Sequence, residues 1–296
     1  MLDPRTHTFL EVYRRRSFTR TAEELHLSQP AVSQHIRWLE ERLDARLFVK
    51  QGRAVTPTRA ADILYLRLSC LENDDARIAA EVRAAADEAA EMTLRFGATR
   101  TIADYVMPRI LPRQLDADPD VRLTMVVGNT NELVTRLDRG DIDVALVEGP
   151  FDCSDFEGTA LSTEPYIAIG SRGERATELA ALLERRIIVR ESGSGTREIL
   201  ERNLAARDLS LADFAGAIEI GSIAAIKACV EAGGGISFLY RVAANDELER
   251  GSLSDVTPPD LTISHDFTLI WQRGSIYAGR FRALADTWRS WLSDIT

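Results

Sequence analysis

Read for the spacing of its apolar residues, the chain falls into three stretches of different character. In the first, Phe9, Leu10, Val12 and Tyr13 share one face of a helix that ends in Arg14-Arg15-Arg16. SFTRTAEELHLSQPAVSQHIRWLEERLDARLF carries two further helical patterns. Thr19 is placed to cap the first, whose inner face holds Ala22 and Leu25. After a turn at His26-Leu27, Ser28 caps the second, with Pro30 early in its first turn. Ala31, Val32, Ile36, Leu39 and Leu43 then form a core-facing stripe, which turns Gln29, Ser33, Gln34 and Arg37 the other way. Two helices about a tight turn, the second offering polar side chains from its N-terminal half, make a helix-turn-helix able to enter a DNA major groove. LFVKQGRAVTPT predicts a hairpin with Gln51-Gly52 at its tip. Lys50 and Arg53 beside the tip make it a wing for the phosphate backbone, although such a turn in isolation serves equally as solvated surface.

The second stretch, roughly 60–91, is alanine-rich and free of glycine. Leu64, Leu68, Leu71, Ile78, Val82 and Ala89 recur as one narrow stripe on a helix too long for burial in a small domain. Such a stripe pairs with a copy of itself. Asp74 and Asp75 interrupt it and keep a solvated linker as the alternative.

The third stretch alternates strand and helix. MTLRFGAT, VRLTMVVG, IDVALVEG, RIIVRES, AIEIG, ISFLY and HDFTLIWQ read as strands. Between them TIADYVMPRILPRQLDA reads as a helix broken at Pro108 and Pro112, and NELVTRLDRG as one ended by Gly140. TREILERNLAARD, SIAAIKACVEAGGG and the terminal SIYAGRFRALADTWRSWLSDI are the remaining helices. Repeated strand–helix–strand units predict a parallel or mixed α/β sheet, in numbers that suit two lobes with a cleft.

Composition changes this picture in one respect. The 296 residues carry a net charge of −10, yet residues 1–59 hold 11 basic and 7 acidic side chains, +4 against −14 for the remainder. A small basic module on a larger acidic one suits a polyanion at one end and something else at the other. No run of apolar residues is long enough for a membrane span, and the N-terminus does not read as a secretory signal. Cys70, Cys153 and Cys229 are scattered, with no metal spacing and no disulfide framework, which fits a cytoplasmic protein.

The candidate chemistry lies in RESGSGTR, residues 190–197, where a glycine turn follows an apolar strand and opens a helix. Such a turn aims several N–H groups at one spot and can hold an anion. Gly193 and Gly195 serve equally well as a tight turn, with Ser194 or Thr196 as a plain N-cap. Catalysis finds little support: GSGTR lacks the Gly-Lys-Ser/Thr of a phosphate-binding loop and the full G-x-G-x-x-G of a dinucleotide site. His265 stands alone, and Asp141 and Asp143 alternate across a strand start as structural residues do.

Ser17, Phe18, Ala22, Leu25, Ser28, Gln29, Val32, Ser33, Ile36, Leu39, Glu40, Leu43, Leu47 and Phe48 together resemble the LysR-type transcriptional regulators of bacteria, and the resemblance runs over essentially the whole chain. Two positions depart from the family pattern: Thr21 stands where a small residue is usual, and Pro57-Thr58-Arg59-Ala60-Ala61 replaces the usual hairpin exit. The resemblance implies an α/β protein with a winged helix-turn-helix (1–59), a dimerising linker helix (60–91) and a two-lobed effector domain of the periplasmic-binding-protein type (92–296). Lobe I is then about 92–165 with 267–296, and lobe II about 166–266. Carried over by position, Gln29, Pro30, Ser33, Gln34 and Arg37 contact a double-stranded operator, with Lys50 and Arg53 on phosphates. Thr99, Arg100, Thr101, Asn129, Thr130, Glu148, Ser192, Ser194, Gly195, Thr196 and Arg197 line an effector cleft. Arg197 equally pairs with Glu201 one turn on.

The resemblance further implies a regulator with no cofactor and no metal, and a homodimer or homotetramer through the linker helix and effector domains, with RNA polymerase as a further partner. The loop resembles the Arg-Glu-x-Gly-Ser-Gly-Thr-Arg stretch of a subset that includes regulators of sulfur assimilation and carbon fixation, and implies an oxyanion, a phosphorylated metabolite or a small carboxylate as effector. An enzyme, or a transport-type binding protein using the same anion loop, is the alternative.

Overall fold

The computed structural model describes residues 2–51, 54–86, 93–148, 151–176 and 178–293. The chain divides into two compact units, Met1–Ala90 with Asp138–Gly140 and Gln272–Ala278, and the rest.

In the first unit, α1 (Pro4–Arg15), α2 (Phe18–Glu24) and α3 (Gln29–Leu43) precede a hairpin of β1 (Phe48–Gln51) and β2 (Ala54–Pro57) and the helix α4 (Arg59–Ala86). Ser28 caps α3, its hydroxyl accepting from the Ala31 N–H, and His26 takes φ 52° in the turn before it. The cap of α2 differs from the sequence expectation. Ser17, extended at φ −155°, accepts from the Arg20 N–H, so the helix starts before Thr19 and leaves that residue inside it. Phe9, Leu10, Val12, Ala22, Val32, Ile36 and Leu39 form one core, closed below by Leu47. Glu40 reaches from α3 to accept from the Leu47 N–H at 2.7 Å, which fixes where the hairpin leaves the helix.

The long helix α4 spans 28 residues, about 42 Å at helical rise. Its stripe divides by partner. Leu64 and Leu68 pack on the helix-turn-helix core, whereas Leu71, Ile78 and Val82 are 45%, 43% and 64% exposed in the single chain. Ala89 lies outside the described residues. Asp74 is not a solvated interruption: it is buried, and accepts from the Ser275 hydroxyl and the Ile276 N–H. Beside it Asn73 donates to Gln272 and to the Asp138 carbonyl. The acid on this face is thus a designed polar seam, satisfied by backbone and side-chain donors.

The second unit begins with β3 (Thr93–Thr99), α5 (Arg100–Tyr105), α6 (Met107–Ala117), β4 (Arg122–Gly128), α7 (Thr130–Asp138) and β5 (Val144–Val147). A 16-residue strand β6 (Phe156–Ser171) leads to α8 (Leu179–Leu183), β7 (Arg186–Val189), α9 (Gly195–Ala205), β8 (Gly216–Glu219), α10 (Ile223–Glu231) and β9 (Ile236–Tyr240). Then follow α11 (Arg241–Arg250), β10 (Leu253–Asp255), β11 (Ile263–Gln272) and α12 (Ala278–Ser293). The helix break falls at Val106 alone. Pro108 occupies the first turn of α6, where its missing N–H costs nothing, and Pro112 sits inside the helix. Among the described residues no helix is long and apolar enough to cross a membrane.

One sheet of order β4-β3-β5-β11-β6-β9-β7-β8 runs through this unit, with β10 on β6. Its two ends repeat one wiring. At one end β3 is central and parallel to β4 and β5; at the other β7 is central and parallel to β8 and β9. In each case the chain runs from the central strand to one side and returns to the other. The carboxyl ends of the central and returning strands are then a topological switch point, where open α/β sheets bind ligands. The long strands β6 and β11 join the two ends of the sheet.

Candidate functional site

The first candidate surface is α3. Gln29, Pro30, Gln34 and Arg37 are exposed and Ser33 half-buried, while Val32, Ile36 and Leu39 point into the core. Positions 29, 33 and 37 are four apart and share a face. On it the Gln29 amide donates to the Ser33 hydroxyl at 3.2 Å, which orients two groups that can read base edges. Arg53 and Gly52 lie outside the described residues, as does the side chain of Lys50.

The second candidate site assembles at the switch points. Thr99 ends β3, Asn129 follows β4, Glu148 follows β5, Arg190 follows β7 and Tyr240 ends β9. Glu148 is 1% exposed and is the hub. Its carboxylate accepts from the hydroxyls of Thr99, of Thr101 at 3.2 Å and of Thr196 at 3.0 Å. The Tyr240 hydroxyl donates to the Glu148 carbonyl, and the Tyr166 hydroxyl to the Thr196 carbonyl. Three of the side chains expected to line the cleft, Thr99, Thr101 and Thr196, therefore converge on an internal carboxylate. Thr196 is not the cap of α9. It lies inside the first turn, Ser194 holds the cap position, and no side-chain capping bond forms there.

Burial pushes the Glu148 carboxyl up to about 7, against the hydroxyl bonds and the charge of Arg190 that favour its ionised form. In the unfolded chain the same group titrates near 4.5. Between those values the native state binds more protons, so stability falls as pH rises through the window and levels off above it. The loss amounts to roughly 3 kcal/mol. Urea unfolding of the wild type at about pH 5 and pH 8 reads it, and the Glu148→Gln variant loses this part of the slope.

Arg190, 3% exposed, holds Glu191 in a fork through Nε at 2.8 Å and Nη2 at 3.0 Å. Its Nη1 has no hydrogen-bond partner among the described residues, nor has the buried Thr130 hydroxyl. Burial works against ionisation of Glu191, yet the Arg190 fork holds its carboxyl below the usual range. Arg100 faces Glu191 as well, at 3.7 Å from Nε. Arg197 is committed to Glu201 at 2.7 Å and Glu219 at 2.6 Å. Asn129 exchanges bonds with Glu132 at the start of α7, while its amide nitrogen lies against Gly193. Gly193 takes φ +83°, a conformation that glycine adopts without strain. Ser192 is exposed, and Ser194 and Gly195 are buried at the start of α9.

Sequence reasoning passed over Arg190, Tyr166 and Tyr240. The available signal for Arg190 was a charge set directly after four apolar strand residues and before a glycine turn.

The arrangement carries hydroxyls, one deeply buried guanidinium and one buried acid, and suits holding a small polar molecule. Two family models cover the chain: the bacterial regulatory helix-turn-helix protein of the lysR family matches residues 5–62, and the LysR substrate binding domain matches residues 87–293. The chain belongs to the LysR family of transcriptional regulators. Its similarity to the RuBisCO operon transcriptional regulator of Allochromatium vinosum is 31% identity over 282 residues, 93% of this chain and 92% of that one. The full-length LysR-type regulator LysG of Corynebacterium glutamicum, solved with bound effector Arg, superposes with a TM-score of 0.66 at 17% identity, covering 98% of each chain. The regulatory domain of CcmR from Synechocystis PCC6803, solved in complex with 2-PG, gives 0.61 at 22% identity, covering 68% of this chain and 97% of that domain. This LysR-family chain is accordingly a DNA-binding regulator with an effector-binding domain, and not an enzyme.

Proposed function

We propose that this regulator switches its operator binding in response to a small anion held between the two lobes, at the carboxyl ends of β3, β5, β7 and β9. Arg190 carries the reading. A guanidinium this deeply buried, with Nη1 unpartnered among the described residues, lies a few residues before the N-terminus of the 11-residue helix α9, whose first N–H groups also lack intrahelical partners. A phosphate, another oxyanion or a carboxylate fits those donors. Asn129, Ser192, Ser194 and Gly195 complete the rim. The RESGSGTR loop supports membership of the anion-sensing subset, and the CcmR domain with 2-PG is a neighbour of the same fold. On the DNA side, residues 1–59 form the winged module. There Gln29 and Ser33 read bases, while Arg37, Lys50 and Arg53 hold phosphates, Pro30 and Gln34 flanking them. The exposed Leu71, Ile78 and Val82 on α4 are the seam by which two copies pair.

A second reading is favoured by Glu148 itself. A buried carboxylate suits a ligand ammonium or guanidinium, and the LysG neighbour carries arginine.

Salt-titrated anisotropy on operator and scrambled DNA, with and without inorganic phosphate, tests the proposal. Phosphate raises the melting temperature and shifts operator affinity, while Gln29→Ala erodes preference for the operator more than affinity for scrambled DNA. Stabilisation by arginine or an uncharged metabolite, with none by any anion, sinks the anionic reading.

A further inference from the structure

The cleft is charge-matched before a ligand arrives. Arg190 and Arg100 both face Glu191, and the three threonine hydroxyls already donate to Glu148. A fully deprotonated oxyanion entering here sets its lone pairs against those of Glu148 with no proton between them. Two bare anions in contact at a dry site repel strongly. One proton on the shared line turns the repulsion into a short charge-assisted O–H to carboxylate bond.

We propose that Glu148 selects an oxyanion that still carries a proton, donated as O–H to the Glu148 carboxylate, and refuses a fully ionised oxyanion of the same shape. The inference rests on the anionic reading above and narrows it to hydrogenphosphate, singly protonated phosphate monoesters and oxyanions of like acidity.

Among the described residues, the groups that face Glu148 do not supply that proton. Thr99 on β3, Thr101 on α5 and Thr196 on α9 spend their hydroxyl protons on Glu148. The Tyr240 phenol on β9 is bound to the Glu148 carbonyl and the Tyr166 phenol on β6 to the Thr196 carbonyl, and burial keeps both protonated. Arg190, following β7, contributes charge and no acidic proton at neutral pH. Glu191 is held ionised by its fork. The proton therefore comes with the ligand, or from solvent onto Glu148 as pH falls toward about 7.

Inorganic phosphate and sulfate test this directly, because at about pH 8 they match in charge, size and tetrahedral shape while only phosphate keeps a proton. Titration calorimetry on the full chain at constant ionic strength reads both. Phosphate binds about tenfold tighter than sulfate at that pH, a limit set by the fraction of Glu148 that is already protonated with its carboxyl at about 7. The ratio narrows toward about pH 6, where Glu148 takes up its own proton. Glu148→Gln, which offers an amide donor to either anion, brings the two within about threefold. The wild-type pH trend needs no variant and stands if Glu148→Gln fails to fold. Equal binding of phosphate and sulfate by the wild type at about pH 8 overturns the inference and leaves the anionic reading intact. Binding of arginine alone, or of neither anion at millimolar concentration, removes the anionic reading and the inference with it.

Discussion

Arg190→Met loses about a hundredfold in affinity for inorganic phosphate, and operator binding by the variant no longer responds to phosphate. The reason is position and burial together. Arg190 follows β7 at a switch point, is 3% exposed and has no partner for Nη1 among the described residues, so a ligand oxygen there gains a charge-assisted bond in a site of low dielectric. Truncating one partner of such a pair costs about 2–5 kcal/mol, which spans roughly thirtyfold to several thousandfold. The variant still folds, because Glu191 is 26% exposed, so it can take water and keeps Arg100 as its neighbour. Arg190→Lys retains the charge but not the fork, so its affinity falls between wild type and Arg190→Met. Calorimetry with phosphate, alongside melting curves, separates binding from stability. Wild-type affinity in Arg190→Met would remove Arg190 from the site.

How much of this was legible beforehand varies with the range of the signals. The helix-turn-helix could be read residue by residue because its determinants are local: Ser28 caps α3 two positions before Pro30, and Val32, Ile36 and Leu39 repeat at helical spacing. The same locality misplaced the cap of α2, since Ser17 and Thr19 are both good caps and only the backbone decides between them. Strand β6 went unread. Before Tyr166 only Phe156 and Leu161 are buried, with no period of two between them, Gly158 and Pro165 look like breakers, and only Tyr166–Gly170 is continuously buried. The helix α11 was also missed; it buries little beyond Ala243 and Ala244 and shows no strong apolar stripe. Within the cleft, residue types at strand ends were readable but their partners were not. Thr99 and Thr196 reach Glu148 across 49 and 48 residues of chain, and no spacing rule specifies such a pairing. The buried Asp74 is a similar case: its donors, Ser275 and Ile276, lie some 200 positions away at 201 and 202.

The largest loss of stability is expected from Trp288→Ala in the terminal helix. Phe281, Ala285 and Trp288 recur at helical spacing on the inner face of α12, and Trp288 is fully buried. Its ring meets Phe96 of β3 edge-on at 5.6 Å, and its Nε1 donates to the Gln114 side chain of α6 at 2.9 Å. One side chain thus joins α12, the central strand β3 and α6. Truncation opens a cavity and strands the Gln114 oxygen, at a cost of about 3–5 kcal/mol. For a domain of this size that lowers the melting temperature by roughly 10 °C. Trp288→Phe keeps the ring contact and gives up the hydrogen bond, so about 1 kcal/mol is lost instead. Chemical denaturation followed by circular dichroism distinguishes the two. The consequence reaches the cleft, because Phe96 lies three residues before Thr99 on the same strand, and a strand released from Trp288 holds Thr99 less firmly against Glu148. Phosphate stabilisation of Trp288→Ala should therefore shrink beyond what its lower melting temperature alone explains, while Trp288→Phe keeps the full response. An unchanged denaturation midpoint in Trp288→Ala would mean that α12 is not seated on β3, and would detach this packing from the site it supports.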